Sequence, residues 1–184
     1  MSDANQNFIQ HLVKVMGLDL LESQRKGRHR LAQAELKRSL GFGSGYYKVA
    51  KYVDPFVPAS ELADDARCRA LYLVAGLLAL SPKREPISLA TAMGRLALEL
   101  KSNNSIENRF VALIERDGES LDDPLRQVIT LLKAKDLGFD YVSLLTDLTI
   151  WLNHHPYRLG ELDRLRRRWA TDFYRIAATA DSND

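Results

Sequence analysis

The stretch Glu161–Arg175, "ELDRLRRRWATDFYR", holds five arginines, one tryptophan and two further aromatics. Leu162, Leu165, Trp169, Phe173 and Ile176 recur at spacings of 3, 4, 4 and 3. At about 100° per residue they fall on one narrow helical face. Arg164, Arg167, Arg168 and Arg175 fall on the opposite side, within about a 100° arc, with Glu161, Asp163 and Asp172 flanking them. The spacing therefore predicts a helix with its aromatics in a core and an arginine stripe towards solvent, not an exposed stacking platform. A charged stripe is often no more than a solvated face. An arginine stripe without interleaved glutamates at i+4 repels itself unless an anion sits on it, which tilts the reading towards phosphate binding.

The same period recurs along the chain. Helices are expected at Asn5–Met16, ending near Gly17, and at Leu21–Leu40, ending in the Gly41, Gly43, Gly45 cluster. A short helix at Tyr46–Val53 is stopped by Pro55. A long apolar one at Leu62–Leu80 precedes the loop "SPKREP". Ser88 is the expected N-cap of the next helix, Ser105 that of Ile106–Arg116, and Asp123-Pro124 the start of another. Phe139–Asn153 and Arg158–Ala178 complete the set, and the tail "DSND" is expected to fray. No run of alternating residues with tight Asn-Gly or Asp-Gly hairpins suggests a sheet. The fold class is all-α: two small packed helical bundles, about eight or nine helices. The polar stretch "KSNNS", Lys101–Ser105, is the candidate boundary, giving bundles over residues 1–103 and 104–184.

Composition fits this frame. The 184 residues are 46% hydrophobic and 27% charged, which suits a globular domain and speaks against wholesale disorder. The only cysteine, Cys68, cannot form an intrachain disulfide. Its neighbours Arg67 and Arg69 could activate a thiol, but a small buried residue is the plainer reading. "ALYLVAGLLAL", Ala70–Leu80, has 11 residues, too few to span a bilayer. The N-terminus lacks the pattern of a signal peptide, so a cytoplasmic protein with no membrane partner is expected.

The formal net charge is only +2, yet it is segregated. Residues 21–52 carry eight Lys/Arg against two acids, and residues 105–149 carry five against nine. In "RKGRHRLAQAELKRS", His29, Ala32, Leu36 and Leu40 share one face. Lys26, Arg30 and Lys37 lie together beside it, with Arg28 and Arg38 elsewhere around the helix. Lys48 and Lys51 follow, interleaved with Tyr46, Tyr47 and Tyr52, a pattern compatible with a nucleic-acid groove.

Other chemistries lack their parts. Adjacent His154 and His155, with His11, His29 and the lone Cys68, offer no metal-ligand spacing. Asp117, Glu119, Asp122 and Asp123 crowd one turn without a histidine or lysine partner for acid–base work. "GFGSG" at 41–45 lacks the preceding strand and the Gly-Lys-Ser/Thr ending of a phosphate loop. The residues describe a helical, non-catalytic, anion-binding protein with no cofactor. The competing reading is a helical protein-interaction module whose basic face meets an acidic partner.

The segments "AELKRSLGFGSGYYKVAKYVDPFV", "ALYLVAGLLAL", "SLATAMGRLALEL", "SIENRFVALIERD", "LRQVITLLKAKDLGFDYVSLLTDLTIW" and "RRRWATDFYR" resemble, in that order, the CasB family. This family supplies the small subunit of the type I-E CRISPR Cascade surveillance complex. The resemblance spans about residues 20–178 and rests on joint order, not on one diagnostic motif. It implies an all-helical, non-enzymatic subunit present in two copies along the backbone subunits that carry the guide RNA. The implied partners are guide RNA and target DNA, the Cascade backbone and large subunits, and a second copy of the chain. Basic residues would hold the guide–target region and the displaced strand. By the resemblance, Lys48, Arg109 and Arg126 stand at basic family positions. Glu115 departs from the pattern, leaving the contact at that turn to Arg116 or to none. Such a subunit must accept any target, so it should grip phosphates and leave sequence to guide pairing.

Overall fold

The computed structural model describes residues 2–40, 46–57, 66–100, 103–153, 155 and 159–177. Among them are nine α-helices and no strand: α1 (Ser2–Met16), α2 (Gly27–Ser39), α3 (Tyr46–Val53), α4 (Ala66–Leu80), α5 (Leu89–Leu100), α6 (Asn103–Ile114), α7 (Asp122–Ala134), α8 (Tyr141–Trp151) and α9 (Leu159–Ala177). The all-α expectation holds. The glycine cluster 41–45, the segment 62–65, the boundary residues Lys101 and Ser102, His154, Arg158 and the "DSND" tail lie outside the described residues.

α4 is the axis. Twelve of its 15 residues are buried, which is why its sequence shows little amphipathic contrast. It packs on α8 and α2, while α1 closes over α2 and α8 and α3 leans on α2. A second group forms around α5 and α9, with α6 and α7 beside them. Two bundles are therefore present, but they interleave along the chain: α8 joins the first and α5 the second. One continuous core cluster runs through both.

Close helix approach explains two glycines. A Cβ at Gly94 would lie 2.7 Å from the carbonyl oxygen of Phe173, so α5 and α9 touch backbone to backbone. A Cβ at Gly76 would strike the Leu40 side chain at 2.6 Å, where α4 meets the end of α2. Aromatic contacts fill the remaining seams. Phe110 of α6 stacks on Phe173 with ring centroids 4.1 Å apart, and Trp151 meets Trp169 edge-on at 5.1 Å.

Helix ends follow local chemistry, with some departures from expectation. Gly17, at φ +60°, closes α1: the N–H of Leu18 reaches the carbonyl of Val13 and that of Gly17 the carbonyl of Lys14. Ser88 caps α5 as expected, its Oγ accepting from Thr91 N, and Asp140 caps α8 through Val142 N and Ser143 N. The single helix expected over Leu21–Leu40 is broken. Residues Glu22–Gln24 form a 3-10 turn, Lys26 is extended at ψ 161°, and α2 starts at Gly27. The break frees Arg25 to reach back to Met16 O and across to Gln33. α6 begins at Asn103, so Ser105 lies within it and does not cap it. Asp123 does not cap α7 either. Leu121 holds the cap position, and Asp122 and Asp123 sit in the first turn, where carboxylates suit the helix dipole.

Candidate nucleic-acid interface

α2 and α3 carry the densest positive charge. His29, Ala32 and Leu36 are buried against the core, which turns the basic residues of α2 outward. Lys26, Arg28, Arg30, Lys37, Arg38, Lys48 and Lys51 are all exposed. Lys37 and Arg38 occupy the last turn of α2, where cations suit the dipole. Not all seven are equally available to a ligand. Glu22 accepts from Arg30 at 2.9 Å and from Arg25 at 3.1 Å, and these guanidinium bonds hold its carboxyl below the usual range. Glu35 takes Lys51 at 3.0 Å and the Tyr52 hydroxyl at 2.9 Å. Burial pushes the Glu35 carboxyl up, but these two bonds outweigh it and hold it low. Among the described residues no ion pair engages Lys26, Arg28, Lys37, Arg38 or Lys48.

His29 sits beneath this surface. Its Nδ1 accepts from the Lys26 backbone N–H at 3.2 Å, and Arg28 Nε lies 3.3 Å from its Nε2. A neutral imidazole has one acceptor nitrogen, so only one contact at a time is a hydrogen bond. Burial, then the charges of Arg28, Arg25 and Lys26, keep the ring below its ordinary pKa, and its Nδ1 caps α2 by accepting from the Lys26 N–H. Tyr47 stands 83% exposed beside Lys48, the most exposed large ring of the described residues.

α9 realises the face expected from its period. Leu165, Trp169 and Phe173 are buried, and Leu162 and Ile176 half-buried. Arg164, Arg167 and Arg175 are exposed, and no ion pair engages them among the described residues. Arg168 is exposed as well, as the stripe expects, but it is engaged by the protein. Its guanidinium donates to Asp147 of α8, a carboxylate only 4% exposed, which also accepts the Trp169 indole N–H at 2.7 Å. Burial pushes the Asp147 carboxyl up, and the bonds from Arg168 and Trp169 partly offset it. Arg168 therefore serves first as counter-ion to a buried acid.

Arg109 is exposed on α6. Arg116 follows α6 with an exposed side chain, while its carbonyl accepts from Trp151 Nε1 at 3.0 Å and from Arg166 at 2.9 Å. That places Arg116 beside α9. Arg126, exposed on α7, faces a cavity that also reaches Arg69 of α4 and the end of α2. The structure thus joins Arg126 to the α2 end and Arg116 to α9, while α9 packs chiefly on α5, in the other bundle from α2 and α3. Sequence periodicity missed Arg69 and Arg166. Both belong to helix faces that look structural until a neighbouring helix is placed beside them. Among the described residues no group of three or more His, Cys, Asp or Glu could hold a metal ion, and no helix is long and apolar enough to cross a membrane.

The family model for CRISPR-associated protein Cse2 matches residues 32–174. A Cse2 protein of Thermus thermophilus is 33% identical over 153 residues, 82% of each chain. The crystal structure of the M. ruber CasB superposes with a TM-score of 0.73 at 28% identity, covering 97% of both chains. A chain of a CRISPR RNA-guided surveillance complex shares the fold, with a TM-score of 0.72 at 24% identity over 95% of this chain and 98% of that one.

Proposed function

We infer function from one premise: this chain belongs to the CRISPR-associated Cse2 family. It acts as the small, non-catalytic subunit of a type I-E Cascade surveillance complex. There it holds the displaced strand and the guide RNA–target DNA region without reading sequence, and so stabilises the opened duplex in antiviral defence. The observation that carries the reading is the outward cationic surface of α2 and α3, with Lys26, Arg28, Lys37, Arg38 and Lys48 exposed and outside the ion pairs that engage Arg30 and Lys51. Such a surface supplies phosphate contacts of the sequence-blind kind. The name of the surveillance complex whose chain shares this fold supports the assembly.

The partners that follow are guide RNA, target DNA, the backbone and large Cascade subunits and a second copy of the chain. Co-expression of a tagged chain with a guide RNA and the other Cascade subunits tests it. The expected result is a stable particle containing RNA and the backbone protein. A chain recovered alone, with no RNA and no backbone subunit, would overturn the reading. A protein-facing role for the same region draws on Leu21 and Leu31, 69% and 55% exposed beside the basic cluster. It predicts that the particle assembles through this surface while the isolated chain ignores nucleic acid.

A further inference from the structure

Beyond a rail of cations, the described residues line a small, half-open cavity of about 200 Å³ where the end of α2, the start of α4 and the first turns of α7 converge. Leu40 and Leu73 give it apolar walls, Tyr72 an aromatic one, and Arg69, Arg126 and Asp122 its polar groups. The Tyr72 hydroxyl is bonded to Asp54, so the ring is held in place before any ligand arrives. Arg69 is likewise anchored, donating to the carbonyl of Gly118 at 3.3 Å.

The mixture of groups selects the occupant. A bare phosphate would suit Arg69 and Arg126, but it would also meet the Asp122 carboxylate and two leucines. A drug-sized ligand needs a cavity of about 300–1,000 Å³. A flat ring system with both acceptors and donors on its edge, and an apolar face, matches this mixture of lining groups. Guanidinium groups pair with base acceptors, carboxylates accept from base amino groups, and the ring faces pack on leucine and tyrosine. The location agrees, because Lys37 and Arg38 immediately precede Ser39 and Leu40 at the cavity's α2 side.

We propose that this cavity between α2, α4 and α7 seats a single unstacked nucleobase of a strand whose phosphates run along the α2 surface. The proposal rests on the nucleic-acid reading above and adds to it a base-dependent contact that a phosphate rail lacks.

The test compares a labelled mixed-sequence single strand with a strand of equal length and charge built from abasic units, by fluorescence anisotropy on the full chain. Stacking one base is worth about 1–3 kcal/mol, so the wild type should prefer the normal strand by about 5- to 150-fold. Ser39→Trp fills the cavity from its half-buried rim, and circular dichroism checks its fold. This variant should bind the abasic strand as the wild type does, and the normal strand no better. Equal wild-type affinity for both strands overturns the base seat and leaves the phosphate reading standing. A folded Ser39→Trp variant that keeps the full preference also overturns it. A wild type that binds neither strand removes the nucleic-acid reading and the base seat together.

Discussion

The Trp169 indole N–H donates to Asp147 at 2.7 Å, so the largest ring of the α9 core face is fixed to a buried carboxylate of α8. Trp169 is 1% exposed and meets Trp151 edge-on. Trp169→Ala removes the ring and leaves Asp147 short of a donor. It should cost about 3–5 kcal/mol of unfolding free energy in a urea titration, the range for deleting a large core aromatic.

Asp147 also sets a pH dependence. Burial raises its folded-state pKa above the unfolded value, with Arg168 and Trp169 offsetting part of the shift. A raised carboxyl binds its proton more tightly when folded. Its stabilising contribution is therefore complete below the unfolded carboxylate range, near pH 4, and is lost as pH rises through the higher folded value. Asp147→Asn should abolish that part of the slope. Urea midpoints across the acid range should show the wild type losing ground relative to the variant as pH rises.

Arg168 and its neighbours should separate cleanly. Arg164→Ala with Arg167→Ala should change stability by no more than about 0.5 kcal/mol, as surface charges do. Arg168→Ala leaves Asp147 without its counter-ion and should cost about 1–3 kcal/mol. That is less than the roughly 3–5 kcal/mol of a fully buried pair, because the Arg168 side chain is 55% exposed and water screens the loss. Thermal midpoints of the two variants check the contrast.

Glycine substitutions probe the helix contacts. Gly94→Ala forces a methyl group against the Phe173 carbonyl and should destabilise by about 1–3 kcal/mol. Gly27→Ala meets nothing within 4 Å at the start of α2 and should stabilise by about 0.4–1 kcal/mol through the unfolded chain. Opposite signs in chemical denaturation are the expected outcome.

Where structure followed the sequence, the cause was periodic burial. Leu165, Trp169 and Phe173 recur at helical spacing because one face of α9 meets the core, and that signal needs no neighbour to be read. α3 matched its expected span for a similar local reason, with Pro55 just beyond its end. What escaped depends on other helices. Arg168 faces solvent as its period predicts, but its pairing with Asp147, 21 residues away on α8, has no local signal. The break before α2 is tied to Arg25 reaching Met16 O and Gln33, which no local propensity encodes. Arg69 and Arg126 share a cavity only because α4 and α7 pack together. Of the candidate site, the positive charge of α2 and α3 was legible, but its partial neutralisation was not. Glu35 sits 16 positions before Lys51, and only the packing of α3 on α2 makes them a pair.

A surface that grips phosphates without reading bases has a distinct signature in salt. For the α2–α3 surface, the direct measurement is a salt titration of single-strand affinity, comparing wild type with a Lys26→Ala, Lys37→Ala, Arg38→Ala variant on two unrelated sequences. These three side chains are exposed, and no ion pair engages them among the described residues. Log affinity should fall linearly with log salt. The variant's slope should be shallower by about 0.7 for each phosphate it no longer neutralises, alike on both sequences, with the thermal midpoint nearly unchanged. Coincident slopes, with the variant differing only in stability, would contradict phosphate binding by this surface.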